Sequence, residues 1–226
     1  MILAAGRGNR LRPLTDSIPK PLVTIGERAL IEHHLIKICQ AGGGHVVINH
    51  AWLGEKIESA LGDGSRFGVH IDYSPELEGG LETAGGILQA LPKLTDGSSS
   101  FCVINGDVFT DFSFERLLKT ELEAGQLAHL VLVPNPAFKS RGDFGLEGRL
   151  ATMSSDYTFS GMSVLHPDLF LGLNPGRFAL GKLLKQAIST GRVTAELYEG
   201  YWSDVGTLDR LEQTRKDYKS ERFAHE

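Results

Sequence analysis

Short apolar runs alternate with helix-period segments along the first two-thirds of the chain. Ile2 to Ala5, His45 to Asn49, Val69 to Tyr73, Phe101 to Asn105 and His129 to Val133 read as buried strands. Ala29 to Ala41 places Leu30, Ile31, His34, Leu35 and Ile38 on one side, which is helical spacing. Gly42-Gly43-Gly44 stops that helix. Trp52 to Leu61, Ala84 to Leu91 and Ser113 to Ala124 are the next predicted helices, and Gly6 to Gly26 interrupts the pattern as a long polar loop. This order predicts an α/β fold: a Rossmann-like single domain over residues 1–226, with a mainly parallel mixed central sheet flanked by helices. Ligands in such sheets bind beyond the carboxyl ends of the strands. Chemistry is therefore expected at Gly6 to Lys20, Ser74 to Gly86, Gly106-Asp107 and Pro134 to Phe144.

The last third changes character. Phe144 to Leu165 reads as short strands with turns, Ala179 to Thr190 as a helix and Val193 to Tyr198 as a strand. Tyr201 to Thr207 leads into a final helix with Thr207 as its N-cap. The tail after Lys219 is expected to fray.

Charge and cysteine usage narrow the function classes. A net charge of -5 argues against a nucleic-acid binder, and no apolar run approaches the roughly 20 residues of a membrane span. Met1 to Ala5 is too short for a secretory signal core. Cys39 and Cys102 lie in apolar runs and read as buried thiols, which fits a cytoplasmic protein. The expected partners are small molecules, with a monomer or small homo-oligomer as the assembly.

One segment reverses the acidic balance. Arg7, Arg10, Arg12 and Lys20 put four cations into fourteen residues, with Gly6 and Gly8 among them and Pro19-Lys20-Pro21 closing the run. The glycines let backbone N–H groups approach an anion, and the cations suit a triphosphate. Gly-Arg-Gly alone reads rather as an ordinary surface turn; its place after an N-terminal strand, the four cations and Pro-Lys-Pro together reverse that reading. The segment lacks the Gly-Lys-Ser/Thr of a P-loop and the third glycine of a dinucleotide-binding turn.

Two acids complete the candidate chemistry. Asp107 follows the apolar strand Val103-Ile104-Asn105 through Gly106, and Asp204 lies in Trp202-Ser203-Asp204-Val205-Gly206-Thr207. Mg²⁺ typically takes one or two carboxylates plus phosphate oxygens and water. Taken singly, Asp107 reads as well as a turn residue, and Asp204 as a helix-capping acid. His33, His34, His50 and His166 sit in no nucleophile or metal motif and read as packing or surface residues.

With these residues in view, the chain resembles the sugar-1-phosphate nucleotidyltransferases. The family pattern Gly-x-Gly-Thr-Arg-Leu-x-Pro-Leu-Thr, followed by Pro-Lys-Pro, matches Gly6 to Pro21, with Asn9 in place of threonine. Val47 to Gly54, Leu61 to Gly68, Arg141 to Phe144, Phe159-Ser160-Gly161 and Val164 to Pro167 are similar to the N-acetylmuramate 1-phosphate uridylyltransferase branch. The resemblance implies a fold of the nucleotide-diphospho-sugar transferase type, with a nucleotide-binding part over about residues 1–110 and a sugar-binding part over about 111–220. It implies transfer of UMP from UTP to a muramic acid 1-phosphate in cell-wall recycling, with Mg²⁺ as cofactor. Glucose 1-phosphate with dTTP or UTP, mannose 1-phosphate with GTP, and a metal-dependent glycosyltransferase are the rival readings.

The resemblance also implies roles for particular residues. Ala5, Gly6, Arg7, Gly8 and Lys20 line the nucleotide, joined by Glu82, Gly85 and Gly86 at a base-recognition turn. Arg10, Lys20 and Asp107 serve catalysis, with Lys20 nearest the reacting phosphate. Asn105, Gly142 and Asp143 face the sugar, and Asp107 and Asp204 hold the metal. Ala84 stands where this branch commonly has glycine.

Overall fold

The computed structural model describes residues 1–77 and 79–219, with twelve strands and six α-helices. The strands are β1 (Ile2–Leu3), β2 (Thr24–Ile25), β3 (Arg28–Ala29), β4 (His45–His50), β5 (His70–Pro75), β6 (Phe101–Asn105), β7 (Val108–Thr110), β8 (Ala128–Pro134), β9 (Phe144–Glu147), β10 (Leu150–Leu165), β11 (Val193–Leu197) and β12 (Trp202–Asp204). The helices are α1 (Leu30–Gln40), α2 (Gly54–Leu61), α3 (Glu82–Leu94), α4 (Phe114–Leu118), α5 (Leu180–Ser189) and α6 (Leu208–Tyr218). Two compact units result. The first comprises Ile2–Gly80, Asn105–Phe114 and Tyr201–Glu226, and the second Met1, Leu81–Ile104 and Glu115–Gly200.

In the first unit β1, β4 and β5 run parallel, with Ile2 opposite Ile48 and Val47 opposite Asp72. α2 makes the crossover between β4 and β5, as parallel neighbours require. Val46, Ile48, Leu30, Ile31, Leu35, Ile57 and Leu61 are buried, so each element turns its apolar side inward. β7 and β12 form a separate antiparallel ladder with Asp204 opposite Val108, and Thr207 caps α6 by accepting from the Arg210 N–H.

In the second unit β10 pairs antiparallel with β6, β8 and β9, while β8 and β11 are parallel. Ala84, Ile87 and Ala90 of α3 are buried, as are Leu184, Ala187 and Ile188 of α5. The sheet is mixed and flanked by helices, as the alternating pattern predicts.

Four local expectations change. The helix predicted over Ser113 to Ala124 stops at Leu118, because Thr120 turns its hydroxyl back onto the Arg116 carbonyl. In that helix only Phe114 and Leu117 are buried, which is too little apolar stripe to carry further turns. Leu150 to Leu165 is one strand of 16 residues, whose register shift between Phe159 and Ser163 bends it without ending it. Cys39 and Cys102 are free but only half-buried. The polar loop is ordered by 3₁₀ turns at Asn9–Leu11, Leu14–Asp16 and Lys20–Leu22. The tail beyond Lys219 lies outside the described residues.

Candidate active site

Hydrophobic neighbours of the polar residues build the site in the first unit. Leu11, Val23, Ile25, Leu30, Phe109, Val205 and Leu211 form one buried cluster, with Leu14, Tyr201 and Tyr218 packed against it. Leu11 follows Arg10, Phe109 lies two after Asp107, and Val205 follows Asp204. Each such side chain contributes about 1.5–3 kcal/mol on burial. Packing the cluster therefore fixes three remote backbone segments, and the adjacent Arg10, Asp107 and Asp204 are carried with them. The Val205 N–H also donates to the Asp107 carbonyl at 2.8 Å.

Charges of opposite sign meet there in two pairs. Lys20 Nζ lies 2.5 Å from Asp107 Oδ2, with the lysine side chain only 11% exposed. Arg210 Nη1 donates to Asp204 Oδ1. Burial raises the Asp204 carboxyl above its ordinary value; Arg210 opposes this, Asp107 adds to it and Lys20 opposes it. The charge of Asp107 thus reaches Asp204, so Asp204 sits in the field of a second carboxylate. Two neighbouring carboxylates, each still partly exposed, have the donor chemistry that Mg²⁺ takes from proteins. Among the described residues no cluster of three or more His, Cys, Asp and Glu is placed to hold a metal, so any cation here would draw its remaining oxygens from substrate and water.

The loop is latched to its surroundings. Gly8 has φ 71°, the left-handed region, and a Cβ there would come within 3.0 Å of Thr15 Cγ2 and 3.3 Å of Lys20 Cβ. Thr15 Oγ1 donates to the Gly8 carbonyl at 2.8 Å, and Trp52 Nε1 donates to the Thr15 carbonyl at 3.0 Å. The Arg7 guanidinium stacks 3.7 Å over the Trp52 ring. Before the loop, the Ala4 N–H donates to Asn49 Oδ1 at 2.9 Å, and Asn49 Nδ2 donates to Glu76 Oε1 at 2.6 Å. Ala5 is half-buried and Gly6 exposed, while Asn105 stands half-buried two residues before Asp107. His34 stacks on Phe114, and burial pushes its ring down to about 3, with His33 and Lys37 adding to the effect. It is a packing histidine, as read from the sequence.

The remaining predicted residues belong to the second unit. Glu82 opens α3, exposed and at φ 59°, a strained conformation for a side-chain-bearing residue. Gly85 and Gly86 are buried in the first turn, and the Ala84 and Gly85 N–H groups both donate to the Phe178 carbonyl. Asp143 Oδ2 accepts from Lys139 Nζ at 2.6 Å and from the Phe159 N–H at 2.9 Å. Gly142 packs against the Tyr157 carbonyl. The first unit thus brings together Lys20, Asp107 and Asp204, with Arg10 and Arg210 at their margin; Glu82 and Asp143 are set in local geometries of the other unit.

Arg210, Trp52, Thr15, Asn49 and Glu76 carry structure that residue patterns did not single out. Arg210 had the clearest signal: a cation one turn into the helix that follows Asp204. Trp52 and Asn49 act on backbone groups 37 and 45 residues away, Glu76 on the Asn49 amide and Thr15 on the Gly8 carbonyl, none of which leaves a spacing to read.

Known proteins provide the comparison. The nucleotidyl transferase family profile matches residues 1–146. The chain is 48% identical over 223 residues to the N-acetylmuramate alpha-1-phosphate uridylyltransferase of Neisseria meningitidis serogroup B, covering 95% of this chain and 96% of that protein. It is 30% identical over 218 residues to the mannose-1-phosphate guanylyltransferase catalytic subunit beta of Danio rerio, covering 91% of this chain and 60% of that protein. A Bacillus anthracis protein assigned as a glucose-1-phosphate thymidylyltransferase has a solved structure matching at TM-score 0.85 and 21% identity, over 97% of this chain and 94% of its own. At that identity the likeness concerns the fold alone.

Proposed function

This chain belongs to the nucleotidyl transferase family, and on that premise we propose that it transfers UMP from UTP to N-acetylmuramate 1-phosphate, giving UDP-N-acetylmuramic acid and pyrophosphate. The near full-length identity of 48% to a uridylyltransferase of that specificity supports the substrate pair. The observation that carries the chemistry is Lys20 held at 2.5 Å from Asp107, with Asp204 in the same field.

In the proposed reaction a phosphate oxygen of the sugar phosphate attacks the α-phosphorus of UTP. The new O–P bond forms as the bond to the β-phosphate bridging oxygen breaks, and pyrophosphate leaves with that electron pair. The attacking oxygen is already anionic, so no protein base has to remove a proton. Catalysis then rests on positioning and charge neutralisation. Lys20 faces the reacting phosphate, and Arg10 with the Gly6 and Gly8 amides holds the rest of the triphosphate. Arg7 borders the nucleotide beside Ala5. Glu82, Gly85 and Gly86 receive the base, while Asn105, Gly142 and Asp143 receive the sugar. Asp107 and Asp204 would hold Mg²⁺, which supplies charge neutralisation at the phosphate oxygens when bound. Among the described residues no helix is long and apolar enough to cross a membrane. A cytoplasmic role in peptidoglycan recycling accords with these substrates.

A panel of sugar 1-phosphates and nucleoside triphosphates, read by pyrophosphate release, tests the proposal. UTP with N-acetylmuramate 1-phosphate should be the fastest pair. Mannose 1-phosphate with GTP, or glucose 1-phosphate with dTTP, turning over as fast would overturn the assigned specificity. Consumption of a nucleotide sugar without pyrophosphate would mark a glycosyltransferase.

A further inference from the structure

Both acids of the candidate metal pair already have a cation. Asp107 has Lys20, and Asp204 has Arg210. Arg210 is also tied to its own helix, for Thr207 Oγ1 accepts from its backbone N–H and from its Nε, each at 3.3 Å. Its outer end crowds Gly206, where an added Cβ would collide with Arg210 Nη2 and lie 3.3 Å from Arg10 Nη2. Two guanidinium groups, one from the loop and one from α6, thus converge on a residue that has no side chain to separate them. Like charges at that spacing repel, and Asp204 is the anion that offsets the repulsion.

Arg210 Nη1 already holds Oδ1 of Asp204, so a divalent cation approaching this carboxylate meets a positive charge seated on it. A polyphosphate can supply what the guanidinium needs in exchange, since two of its oxygens accept together from the planar guanidinium fork. We propose that Arg210 is the resident counter-ion of Asp204, which an incoming triphosphate draws off, so that the divalent cation gains this acid only when nucleotide arrives. Arg210 is then a positioning residue acting through Asp204. The inference rests on the reading of Asp107 and Asp204 as the metal pair. By linkage, nucleotide and metal must strengthen each other's binding by the same factor.

The test is Mn²⁺ binding to the full chain without nucleotide, followed by the spin-resonance signal of free Mn²⁺. It is run at about pH 8, well above the ordinary carboxylate range. Arg210→Gln should bind Mn²⁺ about tenfold more tightly than the parent chain, and Arg210→Lys should behave like the parent. A purely structural role would weaken binding instead. In metal-free buffer with chelator, Arg210→Gln should bind UTP about fivefold more weakly by calorimetry. Mn²⁺ affinity in Arg210→Gln equal to or below that of the parent, or unchanged metal-free UTP affinity, overturns the proposal. Asp204→Asn that binds Mn²⁺ as the parent does would bring down the metal reading itself, and the proposal with it. Thermal melting of each variant separates these results from loss of fold.

Discussion

Two lysine–aspartate pairs of nearly equal length occupy the two units, and their settings differ. Lys20 and Asp107 meet at 2.5 Å across 87 residues of sequence, with the lysine 11% exposed. Lys139 and Asp143 meet at 2.6 Å only four residues apart, with both side chains about a third exposed. The second pair is a local contact that water and salt weaken. In the first the lysine has been taken out of water while Asp107 stays 33% exposed, and burying an ammonium carries a desolvation cost that its pairing has to offset. A pair that contributes little to folding, yet is aimed by a dedicated hydrophobic cluster, fits the proposed contact with a charged ligand. Distance alone does not separate a structural ion pair from a functional one; the effort spent on holding it does.

The largest effect should come from the pair with the buried lysine. Asp107→Ala is expected to lower turnover about 10²-fold or more at limiting Mg²⁺, measured by pyrophosphate release. Asp204→Ala should do the same, because Asp204 sits in the field of Asp107. Near-normal turnover in Asp107→Ala would remove the distinction between the two pairs, and near-normal turnover in Asp204→Ala would remove Asp204 from the proposed metal site.

Asp143 offers the sharper contrast. Besides Lys139 it accepts the Phe159 N–H, so its carboxylate is oriented even though its lysine partner is exposed. Asp143→Asn should raise the KM for the sugar phosphate about tenfold, with kcat little changed, as lost ground-state binding requires. A rise in the KM for UTP instead would place Asp143 outside the sugar site, and an unaltered KM for both would leave it a loop-stabilising acid.

The same contrast explains what could be read from residues alone. Strands such as His45 to Asn49 and Phe101 to Asn105 were legible because their apolar runs are bounded by glycines and polar turns. The cationic loop was legible because four positive charges stand out in an acidic chain. Asp107 was legible because it follows a strand end. Its meeting with Lys20 was not, since the contact spans 87 residues and depends on how Leu11, Phe109 and Val205 pack together. The short α4 was misread for a related reason. Ser113 to Ala124 has helix-forming residues, but propensity yields where only two side chains find a core. Arg210 escaped notice because a cation early in a helix resembles a solvated residue until Asp204 is seen beside it.

The smallest effect concerns how the cationic loop is held. Arg7 lies over the Trp52 ring, and the same ring's N–H reaches the Thr15 carbonyl, whose hydroxyl in turn holds Gly8. Trp52 therefore ties both ends of the turn that carries Gly8 and Arg10. Stacking at an exposed site is worth about 0.5–1 kcal/mol. Trp52→Phe keeps an aromatic face but loses the N–H donor, and it should raise the KM for UTP only about threefold, roughly the worth of one neutral hydrogen bond. Arg7→Gln removes the stack and should have a similar effect. A double-mutant cycle with Trp52→Leu and Arg7→Gln, read on the KM for UTP, should give a coupling of about 0.5–1 kcal/mol. Strict additivity would mean that Arg7 acts on the nucleotide independently of Trp52. The loop would then be held by Thr15 and the hydrophobic cluster beneath Leu11, and the indole would be packing only.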